Sequence, residues 1–215
     1  TVTLTGNGVT LSDVIFTDSS GIAYPPSSSS LGIYQFNVLF GVSYVIRPSR
    51  VGYTFEPSSL QIDQIQDDTF KSLNVSPAPV DITVTVNTNA GGPVPNVSLT
   101  CGKAAGSTDS YGKWSFTMLY GSPCSLQLSA DYMTFLPTPP ITVDGSKTEY
   151  IFTASHKSCG LVGTITVNGS KLSDVELRLA GDPREPFLSN KDGAYSTTLP
   201  CGTPFTLTPL LKGYS

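Results

Sequence analysis

The sequence of 215 residues predicts an all-β fold of tandem antiparallel β-sandwiches, the last of them incomplete. Three observations predict this fold class. The chain aligns with itself three times, short segments alternate apolar and polar residues, and turn residues recur roughly every eight to twelve positions. No helical pattern lies between these segments, so the crossover helices that a parallel sheet usually needs are not predicted.

An internal repeat is the firmest feature of the sequence. A block made of a strand, a turn with Gly or Asn and a second strand occurs at residues 3–18, 84–102 and 164–181. A second block, which opens with Gly, any residue and an aromatic residue, also occurs three times. The opening glycines, Gly32, Gly112 and Gly193, are 80 and 81 residues apart, so the repeat is about 80 residues long.

Period-2 alternation within the repeats indicates strands with one buried face. Trp114, Phe116 and Met118 alternate with polar neighbours, and short strands at this spacing are typical of a sandwich of about seven strands per repeat. Trp114 aligns with Tyr34 and Tyr195, at a position where a sandwich buries a large side chain. We therefore expect Trp114 in the core rather than as a sugar-stacking platform.

Taken together, the repeats follow the order of an apolar strand, a turn such as Asn-Gly, a strand such as Leu-Ser-Asp-Val, a Gly-x-aromatic strand, a Gly turn, a segment such as Gly-Tyr-x-Phe-x-Pro and closing strands such as the one that ends Phe-Thr-Ala. This order resembles the carboxypeptidase-regulatory-like or prealbumin-like repeat, and is similar to the B-type repeats in stalks of bacterial adhesins and pili. The resemblance implies immunoglobulin-like β-sandwiches that act as spacer, stalk or polymer subunit without catalysis of their own. Such stalk repeats often carry a Lys–Asn isopeptide bond, which we do not expect here because the first strands contain no lysine. No LPxTG wall-anchoring signal is present either.

The repeat predicts three domains, at residues 1–78, 79–158 and 159–215. Compared with the second, the third is expected to lack its last two strands, which would expose core residues and unpaired backbone groups. Three explanations stay open. The polypeptide continues as a longer array, a strand from a neighbouring chain fills the gap by β-strand addition, or the product has been trimmed.

Head-to-tail strand addition does not close on itself and generates an open filament. The sequence therefore predicts a structural subunit or segment of an extracellular filament, pilus-like fibre or surface stalk, whose partners are copies of itself. The alternative is an adhesin or carbohydrate-binding module that recognises glycans through loop tips. An accessory domain of an enzyme is a third interpretation.

Composition excludes two classes of partner. Net charge is −4 with a pI of about 4.8, which gives no electrostatic footprint for nucleic acid. No apolar run approaches the roughly eighteen residues of a membrane span, so membrane insertion is not expected. Charged residues make up 13%, about half the usual share, and Ser and Thr, 53 of 215 residues, supply the polar surface instead.

Four cysteines indicate an oxidising location. Cys101 and Cys124 fall in the second repeat, Cys159 and Cys201 in the third, each at a strand end. Of three connectivities, we predict Cys101–Cys124 and Cys159–Cys201, and with them an extracellular or cell-surface location. The alternative is four buried free thiols in a cytosolic protein.

Three N-x-S/T sequons, at Asn74, Asn96 and Asn168, are candidate N-glycosylation sites. Asn168 is the best acceptor because it lies in a predicted hairpin turn. Residues 24–30, rich in Pro and Ser, are interpreted either as an O-glycan segment or as a flexible loop.

Catalytic and metal motifs are weak, so neither enzyme activity nor a cofactor is expected. The one histidine, His156, lies in a predicted linker near Cys159, and the acidic segment 62–68 is interpreted as a solvated loop. Tyr53, Tyr132 and Tyr214 are expected to be equivalent structural residues of the repeat.

Overall fold

A computed structural model describes residues 2–6, 13–26, 28–30, 33–181 and 185–212, with the backbone alone at 2–6 and 28–30. It confirms the all-β fold class, with tandem immunoglobulin-like sandwiches of which two are complete and one is incomplete. Within the described ranges, no helix is long and apolar enough to span a bilayer.

Among the described residues, the first repeat has eight strands: β1 (Val2–Gly6), β2 (Ile15–Thr17), β3 (Ser28–Ser30), β4 (Ile33–Phe36), β5 (Tyr44–Ser49), β6 (Tyr53–Glu56), β7 (Leu60–Ile62) and β8 (Thr69–Pro77). The second repeat also has eight: β9 (Pro79–Thr88), β10 (Ser98–Cys101), β11 (Ala104–Ser107), β12 (Lys113–Leu119), β13 (Cys124–Ser129), β14 (Met133–Leu136), β15 (Ile141–Val143) and β16 (Glu149–His156). The described part of the third repeat has β17 (Ser158–Thr164), β18 (Thr166–Val167), β19 (Ser170–Lys171), β20 (Glu176–Leu179), β21 (Phe187–Leu188), β22 (Ala194–Pro200) and β23 (Leu207–Leu210).

The second repeat is a sandwich of two four-stranded sheets, in the orders β12-β9-β16-β14 and β11-β10-β13-β15. Alternate residues of β9 point inward, so Ile82, Val84 and Val86 are fully buried between the sheets. Leu126 from β13 and Phe152 from β16 complete the centre of this core. The period-2 pattern of the sequence therefore corresponds to one buried face per sheet.

The first repeat pairs a five-stranded sheet, β3-β4-β1-β8-β6, with a three-stranded sheet, β2-β5-β7. Its core centres on Phe16 and Phe36, whose rings meet edge to face with centroids 5.0 Å apart. Ser28–Ser30 pairs with β4 as a strand, so the flexible-loop interpretation is wrong for these three residues.

Among the described residues, the first and second repeats have eight strands each, one more than the approximate number of seven that the sequence predicts. Strand β11 shows why, because its sequence Ala-Ala-Gly-Ser lacks large alternating apolar side chains and gives no strand signal. The Trp114 ring covers this strand at Gly106, stacks on Phe116 with centroids 4.6 Å apart and packs against the core while remaining half-buried. Trp114 is thus a core-edge residue.

The sequence predicts antiparallel sandwiches, and most strand pairs are antiparallel. The first and last strands of each complete repeat, however, are parallel neighbours. β9 pairs with β16 from Thr83↔Glu149 to Thr88↔Ala154, and β1 pairs with β8 in the same sense. The whole repeat serves as the connection between the two strands, so no crossover helix is needed. The chain consequently enters a repeat at one pole and leaves it at the opposite pole.

The third repeat builds the same framework over a smaller core. Strand β17 pairs with β22, and β20 lies between β21 and β23. Val175, which directly precedes β20, is 2% exposed, and Leu177 within β20 is 1% exposed. Within the described residues, no strand pairs with the second edge of β17, the edge that β16 occupies on β9.

A buried hydroxyl fixes the turn before β10 and recurs before β20. Thr108 Oγ1 accepts a hydrogen bond from Val97 N at 2.9 Å and donates one to Val94 O at 2.7 Å. In the third repeat, Ser189 Oγ accepts from the Val175 backbone N–H at 3.1 Å and donates to a backbone carbonyl at 2.8 Å. Both hydroxyls belong to residues only 2% exposed, so each satisfies backbone groups that water cannot reach.

Candidate assembly interfaces

Ala78 is the single residue between the last strand of the first repeat and the first strand of the second. Its N–H donates to the Gly52 carbonyl of the first repeat at 2.8 Å. Its carbonyl accepts from the Tyr120 N–H of the second repeat at 3.0 Å. The linker residue is thus hydrogen-bonded to both repeats and has little conformational freedom.

Lys157 forms the second junction in the same way. Its N–H donates to the Tyr132 carbonyl at 2.7 Å, and its carbonyl accepts from the Cys201 N–H at 2.7 Å. The imidazole Nδ1 of the neighbouring His156 lies 3.1 Å from the Cys201 carbonyl oxygen. His156 therefore contacts the third repeat at this junction.

The residues of the two junctions correspond at the spacing of the internal repeat. Gly52 corresponds to Tyr132, and both have a positive φ, 81° and 60°. Tyr120, which directly follows β12, corresponds to Cys201, which directly follows β22. The expected equivalence of Tyr53 with Tyr132 is wrong, because β6 begins at Tyr53 whereas Tyr132 precedes β14. Tyr214 lies outside the described residues.

At each junction an aromatic ring packs on a glycine of the neighbouring repeat. The ring comes from the later repeat at the first junction and from the earlier repeat at the second. In the first junction the Tyr120 ring of the second repeat lies against Gly52, where a Cβ would overlap the ring. In the second junction the Tyr132 ring of the second repeat lies against Gly202, where a Cβ would come within 2.6 Å of the ring. Sequence spacing could have identified these positions, although it could not show that they touch.

Further contacts hold Tyr120 in place. Its ring meets the Tyr53 ring edge to face with centroids 5.7 Å apart, and Arg50 lies over Tyr53 at 4.9 Å. The next residue, Gly121, donates its N–H to the Asp144 carbonyl at 2.7 Å. The Asp144 carboxyl accepts hydrogen bonds from the hydroxyl and the N–H of Ser146, and these bonds lower its pKa.

The flank of the third repeat contains an open cavity of about 680 Å³. Its lining is mainly apolar and includes Ile165, Leu172 and Leu210. Ile165 corresponds to the fully buried Val86, since each donates its N–H at 2.8 Å to the carbonyl of the glycine that opens the next block. In the second repeat, the core around Val86 is completed by aromatic residues of β14 and β16. The described part of the third repeat has no such strands beside the cavity.

Two disulfides join strand ends within single repeats. Cys101 at the end of β10 is bonded to Cys124 at the start of β13, with their Cα atoms 5.3 Å apart. Cys159 in β17 is bonded to Cys201 with their Cα atoms 5.1 Å apart. The second disulfide brings the junction residue Cys201 onto the first strand of its own repeat.

All three sequon asparagines are exposed. Asn168 and Gly169 form the two-residue turn between β18 and β19, and Asn168 has a φ of 46°. Asn96 lies in the turn before β10 with a φ of 61°, and Asn74 lies in β8. Each is therefore placed where an attached glycan would extend into solvent.

The weak catalytic and metal motifs form structural contacts. The Cys159 sulfur is committed to a disulfide and is not a nucleophile paired with His156. In the turn before β12, Asp109 Oδ1 accepts hydrogen bonds from the N–H groups of Tyr111 and Lys113, and Asn190 makes the same kind of turn before β22. Among the described residues, no three His, Cys, Asp or Glu side chains are grouped to hold a metal ion.

No protein-family model matches the sequence. No curated protein matches it either. Among solved structures, the Bacillus anthracis TIE protein matches over 100% of this chain and 45% of its own, with 19% identity and a TM-score of 0.53. The chain thus spans less than half the length of that protein, and at this identity the similarity concerns the fold alone.

Two pilins show weaker similarity. A streptococcal ancillary pilin matches over 100% of this chain and 91% of its own, with 9% identity and a TM-score of 0.34. The major pilin subunit of Bacillus cereus matches over 97% of this chain and 86% of its own, with 9% identity and a TM-score of 0.36.

Proposed function

We propose that this chain is a structural segment of an extracellular fibre or surface stalk, and that it has no catalytic function. The observation that carries the proposal is the parallel pairing of the first and last strands in each complete repeat. Because the chain enters each repeat at one pole and leaves at the other, successive repeats extend in one direction. This is the connectivity that a stalk requires and that a compact multidomain enzyme does not need.

Short, hydrogen-bonded linkers support the same function. Ala78 and Lys157 each bond to the repeats on both sides, so bending at a junction requires the loss of backbone hydrogen bonds and of a ring–glycine contact. A linker without such bonds would behave as a flexible coil. The junctions therefore favour a stiff succession of repeats.

Force along the chain would act on the strongest part of each sandwich. Tension pulls β9 toward one pole and β16 toward the other, and the two strands are hydrogen-bonded neighbours. The strands must slide past each other, which loads all their mutual hydrogen bonds together. Peeling an antiparallel pair apart from one end loads its bonds in succession, so it needs less force.

Assembly with further copies is the finer part of the proposal. The edge of β17 that no described strand pairs with, together with the adjacent apolar cavity, would accept a strand that lies parallel to β17, as β16 lies parallel to β9. Such a strand comes from a continuing polypeptide or from a neighbouring copy. A strand from the continuing polypeptide would complete the repeat within a longer stalk, whereas a strand from a neighbouring copy would join copies head to tail in an open fibre.

The surface chemistry suits an extracellular location. Two disulfides indicate an oxidising compartment, and the exposed Asn74, Asn96 and Asn168 are candidate sites for N-glycans. The low proportion of charged residues and the high proportion of Ser and Thr fit a fibre whose solubility also comes from attached sugars.

Single-molecule pulling tests the mechanical function directly. The full chain is stretched from its two ends, and separately from its N-terminus and a handle on Leu119→Cys, which lies opposite Pro79 in the β9–β12 pair. We expect the second repeat to unfold at a clearly lower force in the second geometry, because that geometry peels β9 from β12. Equal unfolding forces in the two geometries would contradict the proposed function.

Carbohydrate recognition is a second candidate function, favoured by one feature. An open groove of about 860 Å³ at the junction of the second and third repeats is lined by Phe205, Asn89 and Thr203, among other residues. Phe205 is 49% exposed, and an exposed ring beside polar groups is suited to stacking on a sugar. Glycan-array binding by the monomeric chain that is lost in Phe205→Ala would support this candidate, and absence of binding would exclude it for the glycans tested.

A further inference from the structure

Cys201 joins three features of the second junction. Its N–H donates to the Lys157 carbonyl, and its own carbonyl accepts a hydrogen bond from Nδ1 of His156 at 3.1 Å, since a carbonyl oxygen can only accept. The next residue, Gly202, receives the Tyr132 ring. The position of Cys201 therefore governs how the third repeat is held against the second.

The disulfide to Cys159 is what secures Cys201 at this place. Cys201 lies directly beyond the β17–β22 ladder, and the end of a strand pair opens readily unless a further contact ties it down. Tyr120, at the equivalent place in the first junction, is held instead by its ring contacts with Gly52 and Tyr53. The two junctions thus differ in the kind of bond that fixes them.

We propose that the Cys159–Cys201 disulfide is an exchange site for a small dithiol, and that its opening releases the second junction while the first stays fixed. This inference rests on the proposed stalk function and names a way in which the stiffness of the stalk is regulated. A thiolate of the dithiol attacks the Cys159 sulfur, and Cys201 leaves as a thiolate that takes up a proton. The second thiol of the reagent then displaces Cys159 as a thiol, so the protein disulfide is reduced and the dithiol is oxidised to a disulfide.

Access to the reagent favours this disulfide over the other. Cys159 is exposed, whereas Cys101 is 3% exposed and Cys124 is partly buried against the core of the second repeat. Cys159 corresponds to Val80 of β9, which precedes the part of β9 that β16 covers, Thr83 to Thr88. A strand that completed the third repeat in the same register would therefore leave Cys159 open to attack.

Alkylation and amide hydrogen exchange of the full chain test the inference. The native chain is treated with dithiothreitol without denaturant, and free thiols are trapped with iodoacetamide and located by mass spectrometry. We expect the Cys159–Cys201 pair to be labelled at least tenfold faster than the other pair. With that pair reduced, we expect the Cys201 amide to exchange at least tenfold faster by NMR than in the oxidised chain, while the Tyr120 amide keeps its rate.

Two double variants separate the junction from the rest of the repeat. Cys159→Ser with Cys201→Ser should reproduce the faster exchange without reagent. Cys101→Ser with Cys124→Ser is the matched control and should leave the Cys201 amide unchanged. Protection of the amides of β20, which lies between β21 and β23, reports that the third repeat stays folded.

Equal labelling of the two pairs, or an unchanged exchange rate of the Cys201 amide, would overturn the inference. Loss of β20 protection together with that of Cys201 would overturn it as well, because the disulfide would then hold the whole repeat rather than the junction. The pulling experiment uses the oxidised chain, so a force difference between its two geometries would show that the stalk function stands while its redox control fails.

Discussion

The ring of Tyr120 in the second repeat lies against Gly52 of the first, so closely that no side chain larger than hydrogen fits between them. Gly52 also presents its carbonyl to the linker N–H of Ala78. One backbone position thus fixes both the linker and the neighbouring repeat. The first junction is therefore a packed, hydrogen-bonded interface rather than a flexible linker.

Gly52→Ala should weaken the first junction. Its positive φ alone makes Ala cost about 1–2 kcal/mol of folding free energy, and the new Cβ would also displace the Tyr120 ring. Gly21→Ala is the matched control, since Gly21 has a φ of 79° with nothing within 4 Å of a Cβ. We expect chemical denaturation to show a larger loss for Gly52→Ala, and small-angle scattering to show a wider range of shapes for that variant alone. Equal losses would mean that the ring contact contributes nothing.

Lys157→Pro should loosen the second junction, because proline removes the N–H that donates to the Tyr132 carbonyl. Lys157→Ala keeps that N–H and serves as the control for loss of the charge. Spin labels on the second and third repeats would report a broader distance distribution for Lys157→Pro, while Lys157→Ala keeps the parent distribution. If both variants behave like the parent, the linker hydrogen bond does not orient the repeats.

Thr108→Val should destabilise the second repeat by about 1–3 kcal/mol, because it leaves the Val97 N–H and the Val94 carbonyl buried without their partner. Thr108→Ser retains the hydroxyl, as Ser189 does in the third repeat, and should cost less. Denaturant midpoints of the two variants measure the difference. A Val variant as stable as the Ser variant would show that the hydroxyl bridge is dispensable.

Reduction of the disulfides should change the length released on unfolding. Cys101 and Cys124 are 23 residues apart, so the closed loop withholds about 80 Å of extended chain from the second repeat. The Cys159–Cys201 loop, at a separation of 42 residues, withholds about 145 Å from the third. Single-molecule extension with and without reductant measures both increments. Increments that do not change on reduction would exclude these pairings.

Reduction of the Cys101–Cys124 disulfide should also lower the free energy of unfolding of the second repeat by about 3 kcal/mol, since an open loop of this size gains entropy in the unfolded chain. Thermal denaturation of Cys101→Ala with Cys124→Ala checks the value. A melting temperature equal to that of the parent would contradict it.

The sequence predicted the repeat and its strands because alternation is local: the buried faces of β4 and β12 follow directly from residues such as Phe36 and Phe116. It did not predict the parallel β9–β16 pair, since residues nearly 70 positions apart pair through backbone groups that carry no sequence signal. The junction contacts were missed for a related reason. Gly52 and Tyr132 occupy equivalent positions although one has no side chain and the other has a large ring. Gly52 leaves room for the Tyr120 ring of the next repeat, whereas the Tyr132 ring packs on Gly202 of the next repeat.

Electron microscopy of native material, labelled with an antibody to the second repeat, tests the central claim most directly. The account predicts thin fibres or stalks on which the label recurs at a regular spacing, with the repeats following one another pole to pole. Compact, isolated particles that carry a single label and never form fibres or extended stalks would contradict it.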